Sequence, residues 1–74
     1  MAVRKGKVIN NIRRIRLART ALTQVELAAM VGATRQTIIA IEGGKYAPSM
    51  ELAFRIARAF GEPFEDVFEF DPDG

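Results

Sequence analysis

"LTQVELAAMVGATRQTIIAIEGGK", residues 22–45, holds two helix starts with a glycine between them, and the fold turns on how the two are joined. Thr23 and Glu26 stand three apart. The threonine hydroxyl can accept from the amide of Glu26 while the carboxylate reaches back to the amide of Thr23, which is a capping box. Leu27, Ala28 and Val31 then make an inward stripe, and Gly32 supplies the left-handed residue that ends a helix. Thr34 caps a second helix, 35–42, closed by Gly43 and Gly44. Its β-branched residues, Thr37, Ile38, Ile39 and Ile41, make a strand the competing reading. Adjacent apolar residues break strand alternation, however, and the caps at both ends favour the helix.

Working outward, Ser49 caps a helix over 50–60 whose Leu52, Ala53, Ile56, Ala57 and Phe60 share one face, with Gly61 as its stop. A short helix starting at Pro63 directs Phe64, Val67 and Phe68 inward. Upstream, Val8, Ile12, Ile15 and Arg19 recur at steps of four, three and four, which reads as one face of a helix over 8–19. The expected fold is therefore all-α with five helices. With 74 residues the chain is expected to be one domain, since a chain so short buries only about 60% of its unfolded surface. Its core is expected over about 8–68, with a loose basic arm at 1–7 and a short acidic tail at 69–74.

Cysteine and histidine are both absent. That excludes disulfides, thiolate metal sites and histidine-based triads, and it fits a reducing cytoplasm. No apolar run approaches the roughly 20 residues of a spanning helix, and the first ten residues lack a secretory apolar stretch. A cytoplasmic chain away from the membrane is expected. "FDPDG", at 70–74, echoes the start of a calcium loop without its later ligands. The neighbouring acids Glu65 and Asp66 diverge on a helix and read as a solvated face rather than a catalytic pair. No enzyme, metal or cofactor is expected.

Net charge is only +2, yet the charges are sorted. Residues 1–20 hold Arg4, Lys5, Lys7, Arg13, Arg14, Arg16 and Arg19 with no acid, whereas seven acids crowd residues 51–74 against Arg55 and Arg58. Such a division suits a basic face for a polyanion; two solvated ends of opposite sign would look the same.

Helix 35–42 sharpens the choice. At about 100° per residue Ile38 and Ile41 share the buried side, Gln36 and Ala40 lie opposite, Ile39 flanks them, and Arg35 sits at the amino end. A solvated helix would carry lysine and glutamate on that face. Glutamine can pair with an adenine edge, arginine with guanine, and a branched methyl can rest on a thymine methyl. The plainer alternative is that Ile39 packs under a neighbour and Gln36 is idle.

Taken together, "LTQVELAAMVGATRQTIIAIEGGKYAPS" and "LAFRIARAF" resemble the Cro/repressor-type, Xre-like helix-turn-helix regulators over about residues 8–68. The resemblance implies a λ-repressor-like domain with its helix-turn-helix at the second and third helices, bound to double-stranded DNA. It implies base contacts at Arg35, Gln36, Thr37, Ile39 and Ala40. It further implies phosphate contacts at Gln24 and Lys45, and an ion pair between Arg16 and Glu42. Exposed amides at the helix starts add Thr34 to the phosphate set. "RLARTALTQ" is one residue longer than the commonest family spacing after Arg16.

Val67, Phe68 and Phe70 are a large apolar investment for a terminal segment and are candidates for a homodimer interface on paired half-sites. Tyr46 is expected to pin its loop. The function expected is transcriptional regulation, most simply repression by promoter occupancy. An antitoxin-like or adaptor module gripping a protein partner is the rival.

Overall fold

The structure, a computed structural model, describes residues 6–74. Its elements run β1 (Lys7–Asn10), α1 (Ile12–Arg19), α2 (Gln24–Val31), α3 (Arg35–Glu42), α4 (Met50–Phe60), α5 (Phe64–Val67) and β2 (Phe68–Asp71). The five expected helices are present, and a two-stranded sheet is added to them. Most of the expected basic arm, residues 1–5, lies outside the described residues.

The sheet corrects the reading of the amino-terminal segment. β1 pairs antiparallel with β2, Val8 opposite Phe70 and Asn10 opposite Phe68. Val8 therefore belongs to a strand and is half exposed, rather than the first inward residue of a helix. Asn10 and Asn11 make the break. The Asn10 carbonyl oxygen Oδ1 accepts from the Ile12 amide at 3.2 Å, and its Nδ2 donates to the Ile41 carbonyl at 2.7 Å. One side chain thus starts α1 and ties the strand to the end of α3. Asn11 donates to the Asp66 carbonyl and the Glu69 carboxylate, fixing the same junction to α5 and β2. The tail expected at 69–74 likewise contributes β2 up to Asp71.

The core forms where the helix stripes meet. Ile12, Ile15, Leu27, Ala28, Val31, Ile38, Ile41, Ala53, Ile56, Ala57, Val67 and Phe68 make one buried cluster. Their spacing is the three-and-four periodicity that gives a helix one apolar face. Fully burying a side chain such as Ile38 contributes about 1.5–3 kcal/mol, which sets how each helix faces inward. Arg19, which shares the stripe by spacing, instead reaches out to Glu62 at 2.7 Å.

The joint between α2 and α3 follows the local chemistry. Thr23 accepts from the Glu26 amide, and the Glu26 carboxylate accepts from the Thr23 amide at 2.9 Å, so both halves of the capping box are made. Gly32 closes α2 at φ 75°, ψ 30°. That left-handed conformation is one a side chain disfavours. Two residues later Thr34 accepts from the Thr37 amide and starts α3. Pro63 stands at the cap position of α5, one residue before the helix it was expected to begin.

Candidate nucleic-acid interface

α3 is held from behind and bare in front. Ile38 and Ile41 are fully buried, while Arg35 and Gln36 are exposed and Ile39 keeps 40% of its surface. Ala40 is half-buried, and its carbonyl accepts from the Lys45 amide at 2.9 Å, which folds the following loop back along the helix. Thr37 is half-buried too, its hydroxyl 3.0 Å from that of Thr34. The outer side of α3 therefore offers an arginine, an amide and a branched methyl group. Lys45 and Tyr46, both exposed, follow in the loop.

Behind this face stands a polar bracket. Arg16 donates to Glu42 twice, from Nε to Oε2 at 2.8 Å and from Nη2 to Oε1 at 3.3 Å. The two side chains are only 9% and 4% exposed. Glu42 is the last residue of α3, where the helix dipole disfavours a carboxylate, so the guanidinium offsets both burial and dipole. The expected pair is thus present. The turn that follows Arg16 is tied back to it. The Thr20 hydroxyl donates to the Arg16 carbonyl, accepts from the Leu22 amide, and leaves the Leu22 carbonyl to accept from Arg16 Nη1.

One contact has no signal in the sequence. Gln24 Nε2 donates to Glu42 Oε1 at 3.1 Å, joining the start of α2 to the end of α3. An amide nitrogen carries two hydrogens, so one is held by Glu42 and the second is left for an external acceptor. The Gln24 expected at a phosphate is therefore also part of the bracket.

In front of that bracket an open groove of about 540 Å³ runs between α1 and the start of α2, lined by Arg13, Arg16, Leu17, Thr23, Gln24 and Arg35 among others. No acid lines it. On the other side of α1 a cleft of about 340 Å³ collects Glu62, Glu65, Asp66 and Glu69 with Arg14 and Arg19. The charges sorted along the sequence are thus partly re-mixed: Arg13, Arg16 and Arg35 share the acid-free groove, whereas Arg14 and Arg19 join the acids in the cleft. Among the described residues no group of three or more acids could hold a metal ion, and no helix is long and apolar enough to cross a membrane.

The residues expected to join two copies separate into two groups. Val67 is fully buried and Phe68 only 7% exposed, so both belong to the core of their own chain rather than to a docking surface. Phe70 is 66% exposed and lies over Gly6, whose missing side chain leaves room for the ring. Met50, Phe54 and Val8 are exposed as well. An apolar groove of about 260 Å³ is lined by Val8, Met50, Phe64, Phe68 and Phe70. Phe64 stacks between Phe54 and Phe68 at centroid distances of 4.7 and 5.2 Å.

Comparison with known proteins agrees with this geometry. The family model described as Helix-turn-helix matches residues 12–67. An uncharacterized HTH-type transcriptional regulator of Methanothermobacter thermautotrophicus is 65% identical over 54 residues, covering 72% of this chain and 78% of the relative. One from Methanocaldococcus jannaschii is 58% identical over 52 residues, 70% of this chain and 79% of the relative. One from Bacillus subtilis is 48% identical over 59 residues, 80% and 88%. With α2 and α3 joined through Gly32 and the outer face of α3 open, the chain belongs to the Cro/Xre-type helix-turn-helix family of DNA-binding transcriptional regulators, not to an enzyme family.

Proposed function

We propose that the chain binds an operator in cytoplasmic duplex DNA as a homodimer and represses by occupying the promoter. The observation that carries the reading is the open outer face of α3, set beside an acid-free groove and braced through Glu42. In this reading α3 enters the major groove. Arg35, Gln36, Thr37, Ile39 and Ala40 face the bases, with the Thr37 hydroxyl shared with the helix cap. Gln24, Thr34 and Lys45 hold phosphates and set the register. Two copies meet through the apolar surface of Met50, Phe54, Phe70 and Val8, so that paired α3 helices lie about one DNA turn, roughly 34 Å, apart.

The test is selection of a duplex from random DNA, followed by affinity measurements on that duplex and on a random one. Arg35→Ala and Gln36→Ala should relax base preference and cost about 1–3 kcal/mol on the selected site. Gln24→Ala and Lys45→Ala should weaken both duplexes alike. Equal effects of all four variants on both duplexes would overturn the division of roles. A flat salt response would favour the protein-binding alternative, since neutralised phosphates make affinity fall steeply with salt.

A further inference from the structure

α1 carries four arginines, at 13, 14, 16 and 19, and the structure gives three of them acidic company. Arg16 is spent on Glu42, and Arg19 Nη1 lies 2.7 Å from Glu62 Oε1. Arg14 lines the cleft that holds Glu62, Glu65, Asp66 and Glu69. Arg13, one residue earlier and so about 100° round the helix, is turned away from that cleft. It lines the groove shared with Gln24 and Arg35, where no carboxylate is among the lining residues. Two acids of the adjoining helices are already engaged. Glu42 accepts from Arg16 and Gln24, and Glu26 accepts from the Thr23 amide.

An exposed guanidinium beside a second arginine and a half-free amide, with no ion-pair partner among the described residues, is placed for an external anion. We infer that Arg13 is a further phosphate anchor: it holds a backbone phosphate of duplex DNA at the outer end of the groove, beyond the phosphate met by Gln24. The exposed side chains of Leu17 and Val25, which also line the groove, offer apolar walls that suit the deoxyribose faces between those phosphates. This rests on the DNA-binding reading and lengthens its footprint. α1, otherwise a core helix, becomes a backbone clamp with no part in reading bases.

Arg13→Gln and Arg14→Gln make the experiment, because each removes one positive charge from neighbouring exposed positions of the same helix. A general electrostatic effect would be the same for both. A specific contact would not. Affinity for the selected duplex and for a random one is measured against salt concentration, and ethylation interference maps the phosphates. For Arg13→Gln the expected result is a shallower slope of log K against log salt, by about one, and roughly tenfold weaker binding to both duplexes at 0.1 M salt. One outer phosphate should also lose its ethylation signal. Arg14→Gln should leave slope and footprint unchanged, and Arg13→Lys should keep the slope. Matched slopes and footprints for Arg13→Gln and Arg14→Gln, with the Arg35 and Gln36 effects intact, overturn the Arg13 assignment alone. Absence of duplex binding by the unmodified chain overturns both it and the reading beneath it.

Discussion

Replacing Glu42 by alanine should be among the most damaging single changes the fold can suffer. The carboxylate accepts three hydrogen bonds, two from Arg16 and one from Gln24, and is 96% buried by its neighbours, as its 4% exposure implies. Without it the buried guanidinium keeps, among the described residues, only the Leu22 carbonyl, at 3.3 Å. Breaking a buried pair from one side costs about 3–5 kcal/mol, because a charge is left without its counterion. At roughly 0.05–0.15 kcal/mol per residue the whole domain is worth only about 4–11 kcal/mol. Glu42→Ala should therefore remove about a quarter or more of the stability and lower Tm by at least about 12 °C. Urea and thermal melts followed by circular dichroism measure both quantities. The double variant Arg16→Met, Glu42→Leu removes the two charges together and should return to within about 1 kcal/mol of the unmodified chain. A loss below about 0.5 kcal/mol for Glu42→Ala, or a double variant no more stable than the single, would show that the pair does not act as a buried unit.

Further outcomes are expected from the same structure. Gly32→Ala meets no steric neighbour but must adopt φ 75°, so it should lose about 1–2 kcal/mol in a urea melt from backbone strain alone; no change would mean that the turn relaxes. Thr23→Ala removes one half of the capping box and should cost about 1 kcal/mol by the same assay. Ile38→Ala, at a fully buried position under α3, should cost about 2–5 kcal/mol. Phe70→Glu places a charge on the exposed apolar surface, and sedimentation should show a dimer for the unmodified chain and a monomer for the variant without loss of helix content; identical sedimentation would remove that surface from the interface.

What could be read in advance was whatever is encoded within a few residues. Thr23 with Glu26, Thr34 with Thr37, and Gly32 each act within a single turn of chain, so the helix-turn-helix was legible from end to end. The stripes of α2, α3 and α4 were legible for the same reason. β1 was not. Val8 and Ile9 acquire their conformation from Phe70 and Glu69 at the other end of the chain, and a helical step from Val8 to Ile12 fits the sequence equally well. The pair Asn10–Asn11 was the available sign, since asparagine caps helices and interrupts them. Val67 and Phe68 were read correctly as inward-facing, and only their second role, as interface candidates, fails. Phe68 and Phe70 are two apart and share one side of a strand, but only the first reaches the helices, whereas the second overhangs them. The Gln24–Glu42 contact was invisible because it depends on how α2 and α3 cross, not on either helix alone.

The sheet also fixes an order of events. Asn11 finds Glu69 across 58 residues, and closing a loop of that length from the unfolded chain costs on the order of 3–4 kcal/mol in entropy. Two strands of four residues do not offset that unaided. The helices must assemble first and carry the two segments together, after which the strands zip as a latch. A latch formed last is the natural place for the first breathing motion, so the amides of β1 and β2 should exchange with solvent well before those of α2 and α4.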